Sequence, residues 1–368
     1  MNKLMIYPFN RKFYEIGRYA HLLEGYELAA VVSPPGYGYE GKDISFVDDG
    51  EHVGLKITSD YESNLKQVDS VLFGENIYQS DLNFYIEKIN KALELGKDVI
   101  ITKEIEKKFS DSLLEVPKQI SVIGNNLTET VDFSDNRRYL KEISVPVILM
   151  FSIGAYCDGF ALELRLMEKF KRDGYKISGI SSKGYGALFG IHSVPDYMYQ
   201  EKISEEDKIV NFNWYVENII KNESPDLVII DVQEAIMPYT DRLLNQFGII
   251  PYMISNAMKA DIGILNLYYG TPEPDYFNMV RELGKYKFDI EIEYFNVSNT
   301  KMVVDEFNAL NPLSYVFVDK DTVMKSVADF NQQLQTHIFH VNDNAGTEEA
   351  YQKIQDELSE NPAVVSIW

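Results

Sequence analysis

The sequence predicts an α/β protein: an N-terminal Rossmann-like domain built on a parallel sheet, a second α/β domain, and a small α/β C-terminal extension. Three observations predict it. Short β-rich runs alternate with helical runs over the first hundred residues, a second alternating series starts at Ser144, and that series opens on "VILMFSIGAYCDGFALELRLMEKF", Val147 to Phe170, an apolar strand, a glycine-bounded loop and an amphipathic helix. With 368 residues and 45% hydrophobic content the chain can fill two or three packed domains. The boundaries read as 1–110 for the first domain, 111–142 for a connector, 143–320 for the second domain and 321–368 for the extension.

In order, the first domain offers "KLMIYPF", the helical "FYEIGRYAHLLEG", "YELAAVVS", "VDSVLFGE", the helix Asp81 to Gly96 and "KDVIITKE". In that helix Phe84, Ile86, Ile89 and Leu93 fall near 3.6-residue spacing, Asp81 is placed as N-cap and Gly96 as the stop. "KQISVIGNN" adds a strand, and "SDNRRYLKE" reads as polar connector. The second series runs from "VPVILMFS" through the glycine loop to a helix ending near Gly174, then "YKISGISS" and the loop "KGYGALFGIHSVPDY". Ser204 and Asp207 form a capping pattern that opens a long helix to about Lys221. Strands "DLVIIDV", "IIPYMIS" and "IGILNLYY" follow, then a helix from Tyr276 to Tyr286, strands "DIEIEYFNVS" and "LSYVFVDK", and a tail of helix, strand "THIFHVN", helix "TEEAYQKIQDELSE" and strand "AVVSIW".

The loop Gly154, Ala155, Tyr156, Cys157, Asp158, Gly159 keeps the glycine spacing of a phosphate-binding loop, and its flanks keep the strand and helix. This makes the second domain P-loop-NTPase-like in layout. The chemistry is missing. A working loop places a lysine and a hydroxyl after its second glycine, one to neutralise phosphates and one to hold Mg²⁺; here Phe160 and Ala161 stand there, and Asp158 adds a negative charge. A unit charge interaction at ~4 Å is worth about 1 kcal/mol in water and about 4 at an effective dielectric of 20, more than the ~0.3–1 kcal/mol of a helix dipole. Downstream, "LVIID" ends in Asp231 with Glu234 close behind, the pattern of a Walker B strand. A buried parallel strand ending in an acidic residue gives the same pattern without any ligand. No cofactor is predicted, a Mg-nucleotide is disfavoured and no metal site is assigned.

The strand, G-x-x-x-x-G loop, helix and later hhhhD strand behind a Rossmann-like domain resemble the dethiobiotin-synthetase-like branch of P-loop proteins. The blocks "SKGYGALFGIHSVPDYMY", "PDLVIIDVQEAIMPYTDRLLNQFGI" and "ILNLYY" resemble a clostridial family of peptide maturation system proteins found in natural-product clusters. That resemblance spans nearly the whole chain. It implies an accessory protein of peptide natural-product maturation, with a degenerate Walker A loop, whose partner is a peptide or a maturation enzyme. The alternative it leaves open is an active ATP- or GTP-dependent ligase or NTPase, with Lys183 or a lysine from another subunit of a homo-oligomer supplying the missing charge. Whether the protein is an enzyme is not decided by sequence.

Other signals are weaker. "GYGYEG", Gly36 to Gly41, matches a dinucleotide fingerprint literally but follows the second strand, so a turn is the better account. His337 and His340 lie three apart in a strand and diverge. Cys157 sits at a helix N-terminus, where a thiol can be activated, but Asp158 opposes that and no partner base is assignable. Tyr185, His192 and Tyr197 are the candidate ligand or peptide contacts, because they lie in loops at predicted strand ends and tyrosine suits protein surfaces. The formal charge of −22 argues against nucleic acid. One cysteine excludes an intrachain disulfide, and no apolar run approaches the ~20 residues of a membrane span, so a cytoplasmic location is expected.

Overall fold

The computed structural model describes residues 1–75, 82–112, 114–124, 139–270, 274–303, 313–334 and 336–360. The chain divides into two units: Met1–Asn125 with Lys183–Ser193, and Asn126–Ser182 with Val194–Trp368. The predicted N-cap Asp81, the strand "AVVSIW" and residues 113 and 125–138 of the 111–142 connector lie outside the described residues.

The first unit holds strands β1 (Asn2–Tyr7), β2 (Tyr26–Val31), β3 (Ser70–Phe73), β4 (Asp98–Ile101) and β5 (Ile120–Val122). They form one sheet in the order β2-β1-β3-β4-β5, every neighbouring pair parallel. Helices α1 (Tyr14–Arg18), α2 (Tyr61–Leu65), α3 (Asn83–Glu94) and α4 (Lys103–Asp111) connect them. The strands are nearly continuous apolar runs because a parallel sheet is covered on both faces. The predicted stop at Gly96 takes φ 65°, the left-handed conformation that ends a helix at little cost to glycine. Gly36, Gly38 and Gly41 of "GYGYEG" also have positive φ, in turns followed by a single short 3-10 turn at Ile44–Phe46 and not by an α-helix.

The segment Lys183–Ser193, ending in the two-residue strand β8 (His192–Ser193), belongs to this first unit. Its anchor is Tyr185, whose hydroxyl donates to the Lys12 carbonyl at 2.8 Å and to Glu15 Oε2 at 2.9 Å. The Glu24 amide donates to the Leu188 carbonyl, and Lys183 pairs with Glu15 at 3.6 Å.

In the second unit the strands are β6 (Val147–Ser152), β7 (Ile177–Ser181), β9 (Leu227–Ala235), β10 (Ile262–Leu267), β11 (Ile292–Val297), the antiparallel pair β12 (Thr300–Val303) and β13 (Ser314–Phe317), and β14 (His337–Phe339). The main sheet runs β14-β11-β10-β6-β9-β7, all parallel. Helices α5 (Gly159–Arg172), α6 (Glu205–Glu223), α7 (Ile249–Ala257), α8 (Pro274–Leu283), α9 (Lys320–Gln333) and α10 (Asn344–Glu360) accompany it. Ser204 caps α6 by accepting from the Asp207 amide at 3.1 Å. The expected strand "IIPYMIS" is corrected to helix α7. Ile250, Met253, Ile254 and Ala257 are buried while Ile249, Tyr252 and Asn256 are exposed, a helical period, and Pro251 falls in the first turn, where its missing N–H costs nothing. Helix α10 is fastened to α5 by Glu348, which pairs with Lys169 and Arg172, and by the Tyr351 hydroxyl on Asp173 at 2.7 Å.

Candidate functional site

The loop between β6 and α5 is held against the sheet from below and from above. Beneath it, parallel register sets polar side chains in a row at the strand ends: Ser181 is level with Asp231, and Asn296, Asn266 and Ser152 are level with one another. All five are buried. Asn266 Nδ2 donates to the Phe151 carbonyl at 2.8 Å, Asn296 Nδ2 to Asn266 Oδ1 at 3.0 Å and, at 3.4 Å, to the Cys157 carbonyl. From above, the Tyr268 hydroxyl donates to the Ala155 carbonyl at 2.8 Å.

Within the loop the left-handed residues are Tyr156, at φ 63°, and Asp158, at φ 60°. Gly154 and Gly159 are not in that region. Their requirement is space: a Cβ on Gly154 would lie 2.3 Å from the Tyr268 hydroxyl, and one on Gly159 would lie 2.8 Å from Asp231 Oδ1 and 3.0 Å from Asn266 Nδ2. Both glycines are thus needed for close approach of neighbouring groups, not for a left-handed backbone.

The thiol of Cys157 lies inside the loop, 2% exposed, with the Gly154 amide and the Tyr268 hydroxyl as its hydrogen-bond partners. Burial and the neighbouring Asp158 hold its pKa well above that of a free thiol, the opposite of an activated nucleophile. Phe160 and Ala161, at the positions of the lysine and the hydroxyl, are buried in the core under α5. Asp158 itself is buried.

Asp231 is fully buried, and its Oδ2 accepts from Gln233 Nε2 at 2.9 Å and Ser181 Oγ at 3.3 Å. The register jumps from Phe151–Val232 to Ser152–Ala235, so Gln233 and Glu234 bulge out of the ladder. Glu234 is therefore turned away from Asp231's row and accepts from the Tyr199 hydroxyl at 2.7 Å. The two Walker-B-like carboxylates have separate surroundings.

Of the expected peptide contacts, Tyr185 and Tyr197 need correction: both are buried, with 5% and 6% exposure, because one is the anchor of Lys183–Ser193 and the other packs in the second core. His192 is half-buried in the first unit and Tyr197 lies in the second, so the three do not form one surface within either unit. The tyrosines that do gather at the loop are others. Tyr156 meets Tyr315 edge-on at 4.9 Å, and Tyr268 lies 6.1 Å from Tyr315 and 6.3 Å from Tyr239. Tyr315, on the β12–β13 hairpin, carried no sequence signal because only the tertiary fold brings that hairpin over the loop.

Two further groups escaped the sequence reading. Glu163, one helical turn after Gly159 on the same face of α5, is fully buried next to Asp231 and Ser181. Burial first, and the Asp231 charge second, push its pKa well above the usual carboxyl range. His340 is buried with Nδ1 on the Val297 carbonyl at 2.8 Å, and burial lowers its pKa. Glu163 carried no signal in the sequence, and His340 read there as one of a diverging strand pair. Among the described residues no group of three or more His, Cys, Asp or Glu could hold a metal ion, and no helix is long and apolar enough to cross a membrane.

No protein-family model matches the sequence, and no curated protein does. Among solved structures, a DUF1611-family protein from Anabaena variabilis ATCC 29413 aligns over 98% of this chain and 100% of its own, with a TM-score of 0.62 at 12% identity. That likeness shows a shared α/β fold over nearly the whole chain, and nothing finer. A Cyanothece McdA variant in complex with ATP (TM-score 0.30, 12% identity, 61% of this chain and 98% of that one) and APE1195 (0.25, 7%, 60% and 99%) also align, too distantly to bear on function.

Proposed function

We propose that this is a non-hydrolysing P-loop-like accessory protein of peptide natural-product maturation, which binds a peptide or a partner enzyme at the strand ends of its second unit. The observation that supports it most is the content of the loop: a buried Cys157 thiol lies in it and no lysine follows its second glycine. Phe160 and Ala161 face the core and offer no cation or hydroxyl. Around the loop stand Tyr156, Tyr239 and Tyr315, large surfaces with polar tips and few rotamers to freeze, which suits peptide recognition. Glu234 beside Tyr199 adds negative charge near the same strand ends, so a cationic segment is the favoured partner.

Calorimetric titration with ATP and GTP plus Mg²⁺ tests the negative half, with no binding and no turnover expected. The positive half is a pull-down of the partner encoded alongside at two salt concentrations. Binding should weaken with salt and with Tyr315→Ala. Sub-micromolar nucleotide binding, or turnover abolished by Asp231→Asn, would establish the ligase or NTPase reading instead. Salt-insensitive capture untouched by Tyr315→Ala would move the interface elsewhere.

A further inference from the structure

We propose that the turn joining β9 to α7 is the centre of an interface with a second copy of this chain, and that Phe247 is its anchor. Asn245, Gln246, Phe247 and Gly248 have φ of 48°, 47°, 54° and 71°, four consecutive residues in the left-handed region. That conformation crowds the Cβ of an L-residue against the following carbonyl oxygen, and glycine alone enters it freely. A phenylalanine held there with 60% of its surface exposed destabilises the isolated fold twice, by backbone strain and by an apolar ring in water.

The turn is nonetheless tied down. Asn245 Nδ2 donates to the Met237 carbonyl at 3.1 Å, and Lys287 Nζ donates to the Ile236 carbonyl at 3.0 Å and to the Phe247 carbonyl. Gly248 closes the turn against the end of β9, where a Cβ would lie 2.1 Å from the Ile236 carbonyl oxygen. Strain that the surroundings over-determine in this way gathers at sites of contact. What it delivers here is a ring to the surface.

The neighbours of Phe247 make a patch. Leu244 is 44% exposed, Ile249 42%, Tyr252 41% and Tyr239 38%. Ile249 and Tyr252 lie three apart on the outer face of α7, and the Tyr239 amide donates to the Leu243 carbonyl at 2.9 Å, which brings Tyr239 to the same turn. At about 200 Å² for a large side chain, the five expose roughly 450 Å², about half of the ~800 Å² that each partner gives to a standard interface.

Charge decides what covers it. Residues 239–252 carry one acid and one base, Asp241 and Arg242, both exposed, in a chain whose formal charge is −22. Two copies repel each other over most of their surface and least where this neutral patch meets itself. Across a two-fold axis the patch is its own partner, so Asp241 of one protomer is matched by Arg242 of the other, and the reverse. Tyrosine, phenylalanine and arginine with few other charges are also the composition of an interface centre. The same −22 disfavours an anionic membrane as the occupant. None of this rests on the function proposed above.

Sedimentation equilibrium of the full chain from about 1 μM to about 100 μM, the range of moderate protein affinities, tests the interface. The wild type should be dimeric at the upper end. Phe247→Gly should weaken the dissociation constant at least ~tenfold, as loss of an anchor does. Its urea midpoint, read where both proteins are monomeric, should hold or rise, because glycine relaxes the turn. Asp241→Arg or Arg242→Asp alone should weaken the dimer, and the two together should restore it, since the pair is exchanged across the axis. A wild type monomeric throughout would overturn the proposal, and so would a dimer indifferent to Phe247→Gly. Monomers that float with phosphatidylserine vesicles through Phe247 would overturn it too, and would give the ring to a membrane.

Discussion

Replacing Gly159 with alanine gives the sharpest test of how the loop is built, because two physical effects predict opposite signs. Gly159 is the first residue of α5 and has no positive φ. Propensity alone makes alanine the better residue there, by about 1 kcal/mol in a helix interior and less at an end. The added methyl, however, would sit 2.8 Å from Asp231 Oδ1, 3.0 Å from Asn266 Nδ2 and 3.2 Å from Ser152 Oγ, all inside the 3.4 Å at which ordinary contact begins. None of the three can swing away, since all are buried and Asn266 is tied to the Phe151 carbonyl. Overpacking of this kind costs about 1–3 kcal/mol, so the variant should be destabilised by about 1–2 kcal/mol net, with the midpoint of urea unfolding lowered and its slope unchanged. Gly154→Ala should lose a similar amount, because its methyl meets the Tyr268 hydroxyl at 2.3 Å and displaces the bond to Ala155. A Gly159→Ala protein as stable as wild type, or more so, would mean that the helix does not rest on Asp231 and would remove the close-approach account of the loop.

Cys157, buried and lifted in pKa, should be inert to thiol reagents in the folded protein and react only at the rate of unfolding; labelling as fast as that of an exposed thiol would contradict its place inside the loop. Asn331 on α9 accepts from the Ile338 amide at 3.1 Å and donates to the Ile338 carbonyl at 2.7 Å, acting as a neighbouring strand would on β14. Asn331→Ala should therefore cost about 1 kcal/mol and leave a pairing edge open, seen as a lower urea midpoint and increased light scattering; a monodisperse, equally stable variant would show that the cap is idle. Phe160→Lys combined with Ala161→Thr should not create nucleotide binding but destabilise the protein, since both side chains enter the core; calorimetry and urea unfolding report the two outcomes.

The alternation of apolar strands and amphipathic helices by itself determined the α/β class, the two parallel sheets and the strand–loop–helix at Val147 to Phe170, because periodicity and turn residues are local properties of the chain. Ser204 as a helix cap and Gly96 as a helix stop were legible for the same reason. The absence of a lysine and a hydroxyl at Phe160 and Ala161 was also readable, since it depends on residue type at a fixed offset. Local pattern failed at "IIPYMIS", where a short apolar run fits strand and helix equally and packing against the sheet decided. It failed more completely for the site. That Tyr185 is an anchor and not a contact, that Tyr315 stands over the loop, and that Glu163 lies against Asp231 are facts about residues far apart in sequence, brought together by strand order and register. A glutamate on a helix carries no mark in the sequence that it faces the sheet, and a glycine carries none of what its missing side chain leaves room for. Both were decided by the tertiary packing of α5 on β9, which alone sets the space, the dielectric and the charge each residue meets.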